Sequence, residues 1–366
     1  MTRESLSNQD WDAIVDRLGG VQALETNARQ TQALVRARVV KSGVDLLRMI
    51  LAYCLGEGGL RSAAAWATSV DLVDISNVAL LYRLRRCGDW LTLLVGQAMT
   101  TGAPAAAKGR LIRIIDGTTV PKAGKAAKTG NKLWRVHAAF DLPTERFGHV
   151  ELTDEKGGET LDRIAALAGE IRIADRAFLQ PDRMAAVLDA GADFVVRAGW
   201  KNARWLDASG HAFDLIGAFD KAAAKGVIDR PIWIARKSGA PLALRLVAVK
   251  KPPQAAEVSR RKARREAQKS QHQISKGTLV AADWVILVTS LDTEAFATTD
   301  ILDLYRLRWR VELAFKRLKS LIGLKGPPGT DERSARPYVL AHLLMILLLE
   351  PLVDAFEDTP RWGYAA

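Results

Sequence analysis

The stretch YRLRWRVELAFKRLK, residues 305–319, holds strong helix formers and neither Gly nor Pro, so it is expected to form one helix. At 3.6 residues per turn, Leu304, Leu307, Val311, Phe315, Leu318 and Ile322 fall on an apolar stripe. Tyr305, Arg308, Glu312 and Lys319 follow one another at offsets of 3, 4 and 7, which stacks them on a neighbouring stripe. A carboxylate between two cations and a phenol at a core edge suits a site that binds a metal ion and the phosphates beside it. A surface helix laced with i,i+4 ion pairs would carry the same charges, but such pairs stabilise little. The segments upstream decide between the two.

From Leu111 the apolar pattern is that of strands. LIRII is a short β-rich run leading to Asp116-Gly117-Thr118-Thr119, read as an acidic turn at a strand end. Residues 133–141 (LWRVHAAFD) and 147–153 (FGHVELT) read as two further strands, antiparallel by their short connection. A helix is expected over 161–169, a fourth strand over 171–174 ending at Asp175-Arg176, a helix over 181–189 and a fifth strand over 194–198. An Asp thus closes the first and the fourth strand, where chemistry collects in open α/β sheets.

Residues 1 to about 105 carry helical periodicity and almost no strand signal. Ser42 or Asp45 opens a helix closed by Gly56; a second covers 60–67; Ser76-Asn77 caps a third, 78–86, which bears Arg83, Arg85 and Arg86. Short helix, turn and basic helix form the outline of a DNA-reading domain, and equally of a plain bundle with a basic surface. Between 199 and 292 the helical signal nearly vanishes and strands are expected at 231–236, 242–250 and 284–290, a β-rich insertion. Within it Arg260, Arg261, Lys262, Arg264 and Arg265 form a basic helix or arm suited to nucleic-acid contact. A long apolar helix from 337 to 356 is expected to cover the sheet.

The composition narrows the class. A net charge of +12 favours an anionic partner, nucleic acid before a membrane surface. Cys54 and Cys87 form no CxxC pair and the five histidines are scattered, which excludes a disulfide framework, a zinc site and a His-rich metal cluster. The N-terminus has no signal-peptide pattern and no uncharged apolar run spans a membrane, so a soluble protein, cytoplasmic in a bacterium, is expected. Asp116, Asp175 and Glu312 are the acids placed to converge. Three carboxylates with open positions suit Mg²⁺ or Mn²⁺. Two such ions about 4 Å apart activate one oxygen and stabilise another leaving in line.

At this point the sequence resembles the DDE transposases of bacterial insertion sequences, in the group marked Y-x2-R-x3-E-x6-K. Tyr305, Arg308, Glu312 and Lys319 match that pattern at every spacing, and IIDGTT around Asp116 and ADRAF around Asp175 resemble the segments of the two family aspartates. The resemblance implies an RNase H-like mixed-sheet core, residues 106–198 and 293–366, holding two Mg²⁺ or Mn²⁺ ions on Asp116, Asp175 and Glu312. It is preceded by the all-α domain and interrupted by the β-rich insertion. It implies that Tyr305, Arg308 and Lys319 grip phosphates of the element's end, with Arg176 beside them. It also implies that Trp284 stacks on a flipped base where a DNA hairpin forms. Cut-and-paste transposition on terminal inverted repeats and target DNA follows, carried out by a homodimer in a synaptic complex at the nucleoid. An RNase H-like nuclease that cuts without joining, or an inactive end-binding protein, would share parts of this pattern.

Overall fold

The computed structural model describes residues 8–100, 109–122, 133–142, 146–309, 327 and 331–356. Six helices come first: α1 (Asn8–Arg17), α2 (Gly20–Gln30), α3 (Gly43–Leu55), α4 (Leu60–Ser69), α5 (Asn77–Arg86) and α6 (Gly88–Thr100). Trp11, Ile14, Val15 and Leu18 are buried at helical spacing. The reversal from α1 to α2 runs through Gly19 and Gly20, both at positive φ, where a Cβ would be strained. Ser42 and Ser76 cap α3 and α5 as expected, each hydroxyl accepting a backbone N–H, from Asp45 at 3.1 Å and Ala79 at 3.2 Å. α3 is buried almost all round and is the centre of this layer.

Nine strands then form one sheet: β1 (Ile112–Pro121), β2 (Leu133–Asp141), β3 (Arg146–Asp154), β4 (Ile171–Ala174), β5 (Asp193–Arg197), β6 (Trp205–Leu206), β7 (Val227–Ile234), β8 (Leu242–Lys250) and β9 (Trp284–Thr289). Their order is β3-β2-β1-β4-β5-β9-β8-β7-β6. β1, β4 and β5 are parallel and every other pairing is antiparallel. Three antiparallel strands beside two parallel ones make the RNase H-like mixed core. Segment 199–292 extends that same sheet, because β9 pairs with β5 on one side and β8 on the other.

Four local expectations are corrected. Asp116-Gly117-Thr118-Thr119 is no turn: β1 runs on to Pro121, its ladder completed by β2. Residues 161–169 form no helix. Arg172, fully buried on β4, donates to the carbonyls of Leu161, Ile164 and Ala165, so those acceptors are taken by a guanidinium. The segment 199–292 is less purely β than expected, since it also carries α8 (Leu215–Lys221), α9 (Pro253–Lys269) and α10 (Lys276–Ala282). The basic run is thus a helix and not a flexible arm.

The fourth correction concerns the opening stretch. α11 spans Thr298–Arg306 and ends there, with Leu307 and Arg308 in a turn closed by i→i−3 bonds to Leu304 and Tyr305 (3.2 and 3.1 Å). Tyr305 and Arg308 therefore lie on either side of a helix end. Glu312 and Lys319 lie outside the described residues. The last helix, α12 (Glu332–Phe356), starts earlier than expected and packs mainly on α6, α5 and α3, with a smaller contact to the sheet at β3. It binds the helical layer to the sheet more than it covers the sheet.

Candidate active site

The site grows from strand register. β1 and β4 pair Ile115 with Ala174, and β4 and β5 pair Ala174 with Val196. One step further along three parallel strands stand Asp116, Asp175 and Arg197, a row across the carboxyl end of the sheet. Ile114 and Ile115 bury into opposite cores, which holds β1 rigidly and fixes where Asp116 points.

Asp116 is largely buried. Its Oδ1 accepts the Gly117 N–H at 2.9 Å and its Oδ2 lies 3.6 Å from Arg308 Nη1. Burial pushes its carboxyl up to about 6; the Gly117 N–H and Arg308 oppose the rise, and Asp175 and Glu159 add to it. Asp175 follows β4 and caps a 3₁₀ turn at Arg176–Phe178, its Oδ1 accepting the Ala177 N–H at 2.7 Å. Arg176 is exposed beside it. Two adjacent carboxylates, one of them short of compensating charge, are a donor set that suits a hard divalent cation. The third expected acid, Glu312, is outside the described residues, and among those no group of three His, Cys, Asp or Glu side chains stands ready for a metal.

The cationic side is denser than the motif suggested. The Tyr305 phenol lies beside the guanidiniums of Arg308 and Arg197; burial raises its pKa and the two arginines oppose that rise. Arg197 was missed in the sequence. The signal was there, since it ends its strand as Asp116 and Asp175 mark theirs, but its place in the row depends on register. Glu159 was also missed. Its Oε1 lies 3.7 Å from Arg135 and so close over Gly117 that a Cβ there would come within 2.6 Å of it.

A groove of about 370 Å³ leads from Asp175, Tyr305 and Arg308 past Arg197 to Lys251, Lys262 and Trp284. Lys251 donates to Ser259 Oγ at 2.8 Å and to the Ala282 carbonyl at 2.7 Å. Burial brings it down to about 8, with Arg197 pushing the same way and Asp283 opposing. Trp284 borders the groove but is 4% exposed and stacked on Phe219 at 4.9 Å. The half-buried Trp200 borders the groove too. The basic residues of α9 divide by face. Arg260 is held by Glu257 and Asp283, and Arg264 reaches Glu257 at 3.7 Å. Lys262 lines the groove, and Arg261 and Arg265 are exposed.

A family model described as "Transposase DDE domain" matches residues 107–348. A solved piggyBac transposase synaptic complex with hairpin DNA aligns with 96% of this chain and 75% of its own, at 12% identity and a TM-score of 0.47. Among curated proteins of Escherichia coli, the transposase for insertion sequence element IS421 is 36% identical over 364 residues, covering 97% of this chain and 96% of its own length. The putative transposase InsL for insertion sequence element IS186A, from strain K12, is likewise 36% identical over 361 residues, with the same coverage. Matched by the family model over residues 107–348 and by relatives over nearly the whole length, the chain belongs to the DDE transposases of bacterial insertion sequences.

Proposed function

We propose that Asp116, Asp175 and Glu312 form the metal-binding triad of this transposase, which cleaves DNA at its element's terminal inverted repeats and joins the freed 3′-OH ends to target DNA. The observation that carries the reading is the row Asp116–Asp175–Arg197 across three parallel strands, with Arg308 and Tyr305 against it. Mg²⁺ or Mn²⁺ bound there supplies a polarised water for hydrolysis and charge stabilisation for the leaving oxygen. The protein's own work is placement. Arg308 sits 3.6 Å from Asp116, where it offsets the carboxylate charge and remains within reach of an entering phosphate. Arg197 and Arg308 both stand beside one phenol, which brings two guanidiniums to the same side of the acidic row, where they suit a phosphodiester. Lys319 and Arg176 add further phosphate contacts in this reading.

The groove beyond Tyr305 accepts the strand that leaves the cleaved bond. If a hairpin forms, a flipped base enters next to Trp284 and Trp200. Stacking on the Trp284 face that Phe219 covers would require that aromatic pair to open. Lys262, Arg261, Arg264, Arg265 and Arg260 of α9 line or flank this path. A homodimer holding two ends together, acting at the nucleoid in the cytoplasm, completes the reading. No helix among the described residues is long and apolar enough to cross a membrane.

The test is cleavage of a labelled fragment carrying the native element end, in Mg²⁺, beside Asp116→Ala, Asp175→Ala and Glu312→Ala. End cleavage followed by joining to a plasmid, lost in all three variants, is the expected outcome. Cutting of unrelated DNA with no joined product would replace the reading by a nuclease. Binding without cleavage in either metal would leave an inactive end-binding protein.

A further inference from the structure

The loop from β9 into α11 runs past a buried arginine. Arg245 of β8 is 7% exposed and grips Asp229 of β7 twice, Nε to Oδ1 at 2.8 Å and Nη2 to Oδ2 at 2.6 Å. Its Nη1 donates to the loop carbonyls of Asp292 at 2.9 Å and Phe296 at 2.7 Å, with that of Leu291 at 3.5 Å. Asp229 Oδ2 also accepts the hydroxyl of Thr298, the first residue of α11, at 2.5 Å. One ion pair on two strands therefore fixes both the exit from β9 and the start of α11. Stability alone is a weak reason for such a pair. Taking both ions out of water offsets much of their attraction, and apolar residues of like volume often serve as well. What the pair supplies is direction. Further along, α11 is held through the buried Ile301 and Leu304, and apolar attraction sets no direction.

We propose that Arg245 and Asp229 are positioning residues for cleavage and joining: through the loop and Thr298 they set where α11 lies, and with it where Tyr305 and Arg308 stand against the acidic row. The inference rests on the transposase reading and adds what holds its cationic side in place. From Thr298 to Tyr305 the helix is about 10 Å long, so a tilt of about 10° at its start displaces Tyr305 by roughly 2 Å. Arg308, 3.6 Å from Asp116, lies just beyond the helix end and moves with it. A misplacement of about 1 Å can slow a reaction by about a hundredfold. Arg197 is referred to the same point of the sheet by another route. Val195 of its strand pairs with Thr289 of β9, and Thr289 pairs with Arg245. The clamp thus sets one guanidinium against the other as well as against Asp116.

The experiment uses the full chain and measures single-turnover cleavage of a labelled element end in Mg²⁺, and affinity for the same duplex in chelator. Arg245→Lys, Asp229→Asn and Thr298→Val are each expected to cut roughly tenfold to a hundredfold more slowly than the parent, with affinity unchanged. Thr298→Val keeps the Arg245–Asp229 pair whole, and a thermal melt equal to the parent's shows that it folds. It is then combined with Arg308→Ala. Positioning through Arg308 predicts a double variant little slower than Arg308→Ala alone, because a group already removed cannot be misplaced. A general loosening of the fold multiplies the two losses instead. Multiplied losses, or parental rates in all three clamp variants, would overturn the proposal and leave the active-site reading intact. A fall in affinity that accounts for the whole loss of cleavage would also overturn it, by making the cluster part of a DNA contact. Parental cleavage by Arg308→Ala alone would defeat the active-site reading, and the clamp's role with it.

Discussion

Asp116 is a carboxyl that the fold makes expensive to ionise. It titrates near 6 in the folded chain against an ordinary 3.8. Between those values the folded state keeps a proton that the unfolded state has lost, so stability falls as pH rises from about 4 to 6 and stays lower above. The magnitude is about 3 kcal/mol. Asp116→Asn should therefore melt higher than the parent at pH 7–8 in chelator, and about equally at pH 4. An equal gain at both pH values would show that the carboxylate's burial is not the cause. Mg²⁺ should raise the melting temperature of the parent more than that of the variant, since only a bound ligand of the native state stabilises it. Residue chemistry of this kind was partly legible. The acids at 116 and 175 stood at strand ends in the sequence, whereas Arg197 and Glu159 acquire meaning only when register sets them beside those acids.

At the scale of elements, Arg172 shows why one segment could not be read. Leu161–Gly169 has helical composition, but its carbonyls satisfy a buried arginine from a strand seven to eleven residues ahead. No local pattern encodes that capture. The same guanidinium pairs with Glu170, itself buried and linked to Arg113, which in turn holds Asp141 at 2.6 Å. Arg172→Ala would leave buried Glu170 with Arg113 alone and the Leu161, Ile164 and Ala165 carbonyls without this donor, and a loss of roughly 3–5 kcal/mol in urea unfolding is expected. Adding Glu170→Gln should recover part of it; a double variant no better than the single would mean that the carbonyl contacts dominate. The five core strands and helices α3 to α5 were legible because their apolar periods are unambiguous. The break after Arg306 was not, since every residue from 305 to 309 is compatible with helix and a tightened turn decides it.

At the scale of the whole molecule, the helical layer and the sheet share one apolar core. It joins α1–α6, β1, β2 and α12, with Trp90, Leu46, Ile114 and Leu344 all buried in it. A fragment starting at residue 107, where the family match begins, would leave α12 without α3, α5 and α6 to pack on. Such a fragment is expected to aggregate, and the full chain to unfold in a single calorimetric transition. Two separated transitions, or a soluble fragment with native circular dichroism, would refute a shared core. The strand β9 has a different kind of consequence. Bonded to β5 and to β8, it welds the floor of the groove into one stiff plate, so the far strands cannot swing relative to the acidic row without tearing a ladder. α9 is fastened mainly by side chains, Arg260 to Asp283 and Lys251 to Ser259. Clearance for substrates of different girth is therefore expected to come from helices such as α9 that roof the groove, while the bed beneath them holds still.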